Sequence, residues 1–154
     1  MRKQIALLGY LIVMTNCTTS HISVLNNEMI IYEVIQRDYI TYYSSDVLDK
    51  RLVRQLLNEK HINLQMVNPG SMYNTTDVYV EGLPDKQLIV YGKSNENLNF
   101  ILYKERGNKS NNSCIIFKKI NNSFDVMFLK VESSINDIYK LKLALKNKSY
   151  TVMP

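Results

Sequence analysis

The chain has 154 residues, of which 45% are hydrophobic and 21% are charged. This balance is typical of a folded globular protein and excludes wholesale disorder. The 19 Lys and Arg exceed the 14 Asp and Glu by a formal net charge of +5, and two of the basic residues, Arg2 and Lys3, lie in a segment that we expect to be removed. The remaining excess of +3 is mild, so nucleic acid is not an expected partner.

An apolar run of ten residues, from Ile5 to Met14, follows the two basic residues and ends shortly before Cys17. Basic, apolar and polar parts in this order are typical of a secretory signal. A helix of ten residues is about 15 Å long, half of what a bilayer core of about 30 Å requires. The run therefore predicts an export signal over residues 1–16 rather than a membrane span.

The segment Met14-Thr15-Asn16-Cys17 resembles the acceptor site of bacterial lipoproteins, in which the signal is cleaved before a cysteine that is then acylated. Met14 stands where that class usually has Leu, and Asn16 where it usually has a smaller residue. The resemblance implies that Cys17 is acylated and holds the protein to a membrane of the cell envelope. Thr18, in the place of an Asp, favours the outer over the inner membrane.

Two alternatives to lipidation remain open on the sequence. The protein could be cleaved and released as a soluble periplasmic or secreted protein, or residues 1–16 could stay as the N-terminus of a cytoplasmic protein. The chain has two cysteines, Cys17 and Cys114. Without acylation of Cys17 they could form a disulfide bond in an oxidising compartment.

Behind the signal, residues 17–27 are polar and predict a tether, and residues 28–154 predict a single domain. The first part of that domain, Glu28–Tyr43, is rich in Ile and Tyr, which favours one or two strands. Its apolar side chains also fit one face of a helix, so the two interpretations compete. The residues that fit the helical face are Ile31, Val34, Ile35 and Tyr39.

The segment from Ser45 to Lys60 has the clearest helical pattern in the chain. Apolar residues recur at three- and four-residue spacing and form one stripe. Ser45 is a suitable N-cap, because its hydroxyl can accept a hydrogen bond from the first turn. The stripe predicts a helix over about residues 45–60, packed on a sheet, and consists of Leu48, Leu52, Val53, Leu56 and Leu57.

From residue 62 the sequence predicts short strands separated by turns rich in Asn and Gly. Connections this short imply antiparallel neighbours in a β-meander. Several strands are apolar on both faces, so we expect both faces to be covered, and a second subunit could supply one cover. The predicted strands are Ile62–Val67, Asp77–Val80, Lys86–Tyr91, Leu98–Lys104, Cys114–Ile120 and Phe124–Val131.

A second helix is predicted over about residues 134–147, with Ser134 and Asp137 as a capping box. It contains several Lys, and a basic amphipathic helix can also lie on a membrane surface. Tyr150–Val152 predicts a short edge strand. The predicted fold class is therefore α+β, an antiparallel meander with one helix before it and one after it.

The sequence predicts no catalytic residue, no metal site and no cofactor. Cys114 and His61 are the one Cys/His pair left once Cys17 is acylated, but Cys114 opens an apolar strand and is expected to be buried. Candidate binding surfaces are three tyrosines that can offer both an apolar ring and a hydroxyl, and a polar loop after the Leu98 strand. The candidate residues are Tyr39, Tyr42, Tyr43, Lys104 and Arg106.

These observations favour a non-enzymatic envelope protein that binds a protein or another envelope component. One alternative is a hydrolase acting on envelope material, which would need an exposed cleft containing His61 and a carboxylate. Another is an inhibitor or immunity-type protein that neutralises a toxin or host factor. A stoichiometric protein partner would distinguish this last class from an enzyme.

Overall fold

The computed structural model describes residues 27–153, so the predicted signal, the acylation of Cys17 and almost all of the tether lie outside the described residues. The chain divides into two units, with the boundary between Gln36 and Arg37. Within the described part, no helix is both long and apolar enough to cross a bilayer.

Residues 27–36 of the first unit form a helix, α1. Ile30, Ile31 and Val34 are buried in it, at the one-, three- and four-residue spacing of a helical face. The preference for strands is therefore wrong over residues 28–36, and the competing helical pattern is the correct one. The β-branched composition favoured strands, but β propensity is a weak preference. The spacing of the apolar residues matches one face of a helix, and a helix buries them together.

The second unit contains a six-stranded sheet in which every strand is antiparallel to its neighbours. Spatial order follows chain order, which confirms the predicted α+β meander. Helix α2, Lys50–Lys60, precedes strands β2 to β6, and helix α3, Ile138–Lys146, lies between the last two strands. The strands are β1 Ile40–Tyr42, β2 Lys86–Lys93, β3 Leu98–Glu105, β4 Asn111–Ile120, β5 Ser123–Glu132 and β6 Tyr150–Val152.

One face of the sheet packs against α2 and the extended chain that follows it. Leu56 of α2 is completely buried there. After α2, alternate residues of the extended chain, Ile62, Leu64 and Met66, also turn inward. The sheet contributes a row of buried side chains to this core, namely Leu88, Tyr91, Ile101, Tyr103, Ile115, Phe117 and Phe124.

The opposite face carries Phe100, which is completely buried. Tyr39 meets the Phe100 ring edge-on, with centroids 5.1 Å apart. Lys142 of α3 lies over Tyr39, its Nζ 5.7 Å from the ring centroid. These contacts place α3 towards the face that α2 does not cover, so the centre of the sheet is apolar on both sides because both sides are covered.

The two helices begin later than the sequence predicted, and each uses an Asp as its N-cap. Asp49 accepts from the backbone N–H of Arg51 at 2.8 Å, and Asp137 accepts from Lys140 at 2.8 Å. The predicted Ser134 capping box is wrong because Asp137 is itself the cap. The region around the predicted Ser45 cap forms a separate 3₁₀ turn, Ser45–Val47.

Two predicted strands, Ile62–Val67 and Asp77–Val80, are wrong. Only Val67 pairs with the sheet, through a single parallel bridge to Gln87 of β2. Pro69, which has no N–H, and Gly70, with φ +80°, then turn the chain, so the pairing does not continue beyond Val67. Residues 61–85 are consequently irregular apart from this bridge.

Candidate binding surface

The three candidate tyrosines do not form one surface. Tyr39 contacts Phe100 on the α3 face, whereas Tyr42 stacks on Tyr91 of the α2 face, with centroids 5.8 Å apart. Burial raises the pKa of Tyr91 to about 12, so this pair belongs to the core. Tyr43 is 59% exposed and is the one member of the three that is open to a partner.

The two candidate cations also separate. Lys104 is exposed and lies opposite Gln87 in the register of β2 and β3. Arg106 follows β3, and its backbone N–H donates to the carbonyl of Asp85 at 2.8 Å. Its guanidinium lies 3.5 Å from the Asp85 carboxylate. The structure thus places Arg106, and not Lys104, in the wall of a groove.

This groove has a volume of about 690 Å³ and is open to solvent. It lies between the irregular chain of residues 61–85 and the adjoining ends of β2 and β3. Its walls are mainly polar and charged, with one aromatic ring. The lining residues are Asn63, Gln65, Tyr79, Gly82, Leu83, Pro84, Asp85, Lys86, Glu105 and Arg106.

Each cation of the groove has a partner acid. Lys86 lies 3.9 Å from Glu105 and also donates to the carbonyl of Asn63 at 2.8 Å. Arg106, already paired with Asp85, lies over the ring of Tyr79, 6.0 Å from its centroid. The groove therefore presents charges of both signs, each lying beside a group of opposite charge.

One rim of the groove is formed by residues 71–85, which we call the 71–85 loop. Its buried polar residue is Asn74, which is 1% exposed. The Asn74 amide donates to the carbonyl of Val78 at 2.8 Å, and its side-chain oxygen accepts from the Thr76 N–H at 3.0 Å. The Asn74 N–H donates to the carbonyl of Pro84 at 2.8 Å. A buried Asn thus closes the loop on itself.

Further hydrogen bonds fix the loop and the turn before it to the domain. The Gln87 side chain of β2 donates to the carbonyl of Ser71 at 2.5 Å. Just before the loop, the Asn68 side chain accepts from the N–H and hydroxyl of Ser45, at 2.6 and 2.8 Å. At the other end of the loop, the carbonyl of Asp85 accepts from the Arg106 N–H. The loop is irregular but attached at both ends, as in compact surface loops that carry function.

The 71–85 loop exposes apolar side chains to solvent. Val78 is 71% exposed, Tyr79 66% and Met72 77%. The loop also carries Asp77, Glu81 and Asp85, and residues 61–85 contain no Lys or Arg, although the chain has 19. The sequence pattern did not predict this surface because the alternation around Val78 favours a strand; the long stretch without Lys or Arg was the available signal.

The Cys/His pair considered for catalysis is not assembled around the groove. Cys114 is 1% exposed, and burial raises the pKa of its thiol well above the ordinary range. His61 is exposed, has φ +56° and ends α2 through backbone bonds to the last turn. Among residues 27–153, no group of three or more His, Cys, Asp or Glu is arranged to hold a metal ion.

The burial of Cys114 gives a direct expectation. In the native protein the Cys114 thiol should not react with a maleimide or a disulfide reagent. Burial disfavours the reactive thiolate and encloses the sulfur. Labelling should appear with the same urea midpoint as the loss of sheet signal. A Cys17→Ser background removes the other thiol, and rapid labelling of that folded variant would contradict the burial of Cys114.

Comparison of the chain with family models, with curated proteins and with solved structures found no match. Function must therefore be inferred from this chain's own geometry. Two features are the most informative: the groove with its paired charges, and the fixed 71–85 loop with its exposed apolar and acidic side chains.

Proposed function

We propose that the protein is exported, is held at the cell envelope by acylated Cys17, and has a non-enzymatic role in binding a protein or other envelope component. The binding surface is the 71–85 loop together with the adjoining groove. One observation carries the binding surface: Val78 and Tyr79 are exposed on a loop that buried Asn74 closes through hydrogen bonds to Val78 and Thr76. The location at the envelope is supported by the sequence around Cys17.

A fixed loop with exposed apolar side chains suits binding for an energetic reason. Apolar surface left in water gains free energy when a partner covers it, roughly 25 cal/mol per Å². A flexible loop would lose part of that gain in becoming ordered, whereas a loop that is already ordered keeps it. The hydrogen bonds of Asn74 and Gln87 thus order the loop before a partner binds, which lowers the entropy cost of binding at Tyr79.

Charge indicates which partners fit. Asp77, Glu81 and Asp85 are the charged residues of the 71–85 loop, and all three are acidic. Asp85 is partly neutralised by Arg106 beside it. A partner that brings Lys or Arg with apolar side chains would match both the acidic and the apolar character of the loop. We therefore favour a basic polypeptide surface as the occupant.

The chemistry of the groove favours recognition over catalysis. Lys86 and Glu105 face each other, as do Arg106 and Asp85, so these charges are engaged in structural pairs. His61 does not line the groove, and the Cys114 thiol is enclosed. These placements support the binding role and weigh against the hydrolase alternative, which needed an exposed cleft containing His61.

The location is tested by the mature N-terminus. We expect the precursor, expressed in a bacterial host, to be cleaved before Cys17 and to gain the mass of acyl chains. The Cys17→Ser variant should lose both the added mass and the stable membrane attachment, because two or more acyl chains are needed to anchor a protein. An intact Met1 in a protein found in the soluble fraction would contradict the proposal.

The binding role is tested by photo-crosslinking in the native cells. A photoreactive phenylalanine analogue placed at Tyr79 should form one adduct of defined mass. The matched control carries the same analogue at Leu57, which is 45% exposed on α2 away from the groove lining. Equal patterns from the two positions, or none from position 79, would contradict the binding surface.

A further inference from the structure

Helix α3 has a second, outward face that the core does not use. Leu141, Ala144 and Leu145 are its buried residues. On the other side Tyr139 is 76% exposed and Leu143 48%, four residues apart and therefore adjacent on the helix surface. A helix with apolar side chains on both faces has more apolar surface than its own fold requires.

Basic residues surround this outward face. Lys140, Lys146 and Lys148 are exposed, whereas Lys142 of the same helix is turned towards Tyr39 and the Arg37 carbonyl. Asp137, the N-cap, is the one acid between residues 133 and 154. The charge is thus opposite in sign to that of the 71–85 loop, so the two surfaces suit different partners. Exposed Tyr and Leu among several Lys are typical of helices that lie on anionic lipid.

The chain enters the second unit beside α3. Arg37 is the first residue of that unit, and Lys142 donates a hydrogen bond from Nζ to the Arg37 carbonyl. The ten residues from Cys17 to residue 27 can span at most about 35 Å, and residues 27–36, being helical, add about 15 Å. An anchor at Cys17 therefore keeps α3 within about 50 Å of the bilayer surface.

We propose that the outward face of α3 lies on the anionic surface of the membrane to which Cys17 is attached. Tyr139 and Leu143 enter the interfacial region, and the exposed Lys140, Lys146 and Lys148 meet the headgroups of acidic lipids. The location at the membrane rests on the proposed function. The assignment of a lipid-binding face rests on the exposed apolar and basic side chains of α3.

This docking would orient the second unit. The groove residues Lys86 and Glu105 point to the α2 face of the sheet, as the register with Leu88 and Tyr103 shows. The sheet would then lie between the membrane and the groove, and the groove would face away from the membrane, open to a partner. The anchor limits the distance of the domain, and α3 sets its orientation.

The chain contains no Trp, which permits a position-specific test. Tyr139→Trp introduces a single indole in the outward face of α3, and Tyr79→Trp introduces one in the 71–85 loop. Each full-length variant is added to vesicles of phosphatidylglycerol and phosphatidylcholine whose acyl chains are brominated. Because bromine quenches at short range, the measurement reports which surface touches lipid even though the N-terminal segment attaches both variants.

We expect at least twofold quenching and a blue-shifted emission for Tyr139→Trp, and neither for Tyr79→Trp. Pure phosphatidylcholine vesicles should give markedly less quenching, and added salt should weaken it, because exposed charges are screened beyond about 10 Å at 0.1 M salt. Equal quenching at the two positions, or none at position 139, would overturn the inference.

Charge variants separate lipid docking from simple attachment. Lys146→Glu with Lys148→Glu, made in the Tyr139→Trp chain, should remove the quenching while the circular dichroism spectrum stays unchanged. Lys50→Glu with Lys60→Glu, at the two ends of α2, changes the net charge equally and should leave the quenching intact. Quenching that survives the α3 variant, or that both pairs reduce equally, would overturn a specific role for this face.

The outcome at Cys17 is independent of this test. Quenching at position 139 in a protein that is not acylated in cells would support the lipid-binding face and contradict the proposed anchor. Acylated Cys17 without quenching at position 139 would leave the proposed function standing and overturn the inference about α3.

Discussion

Gly92→Ala is expected to lower the free energy of unfolding by about 3 kcal/mol or more, as overpacking of a closed core does. Gly92 lies within β2, directly opposite Phe100 of β3. An alanine Cβ at this position would overlap Cε1 of the Phe100 ring, far inside van der Waals contact. The ring has nowhere to move, because Phe100 is completely buried and Tyr39 packs against it.

The loss is measured by urea unfolding followed by circular dichroism, with Gly82→Ala as the matched control. Gly82 also lacks a side chain, but an alanine Cβ there would have no atom within 4 Å. Its φ of +81° alone should cost about 1 kcal/mol. Adding Phe100→Leu to Gly92→Ala should recover part of the stability. A Gly92→Ala protein no less stable than Gly82→Ala would contradict the proposed clash.

Gly92 also shows why part of the fold could not be predicted from the sequence. Gly92 begins the stretch Gly92-Lys93-Ser94-Asn95, whose composition is typical of a turn. In the structure β2 continues through Gly92 to Lys93. Gly92 pairs with Phe100 of β3, and the absence of a side chain at Gly92 leaves room for the Phe100 ring. A contact between two strands, such as that of Gly92 with Phe100, cannot be detected from the residues on either side of Gly92.

The elements predicted well are those with a strong local period. The alternation in β3 and β5 is visible in a short window, and these strands occur within one residue of their predicted bounds. The leucine stripe predicted α2 correctly as a helix but placed its start five residues too early, at residue 45 instead of Lys50. Helix α1 was the ambiguous case, because residues 28–36 combine β-branched composition with a helical period. Burial of Ile30, Ile31 and Val34 agrees with the period.

The candidate surface was predicted only in part. Arg106 was predicted as part of a binding surface, and it lines the groove. Its partners Asp85 and Tyr79 come from a separate segment, and the sequence pattern gave no sign that this segment lies beside Arg106. Tyr39 and Tyr42 are three residues apart, just before β1 and at its end, and contact opposite faces because successive side chains of extended chain alternate. Nearness in sequence was the wrong guide to a shared surface.

Asn74→Ala is expected to release the 71–85 loop and to weaken partner crosslinking from position 79 about tenfold. The substitution removes the donor to Val78 and the acceptor from Thr76 and leaves a space where a buried amide was. Each hydrogen bond lost is worth about 1 kcal/mol. Crosslinking falls tenfold when the ordered loop conformation drops to about one tenth of the molecules, because apparent affinity follows the binding-competent fraction. The sheet should remain folded, since Asn74 contributes to none of its ladders.

Hydrogen exchange distinguishes this local release from general unfolding. In Asn74→Ala the amides of residues 74 and 76 should exchange faster, while those of β3 and β4 keep their protection, because local openings expose only the segment involved. Thr75→Ala is the matched control, since Thr75 is exposed and next to Asn74 but its side chain is not the acceptor or donor in these bonds. If Asn74→Ala exchanged like Thr75→Ala and crosslinked as strongly, the loop would owe its conformation to other contacts. Binding would then depend on something other than the preformed Tyr79 surface.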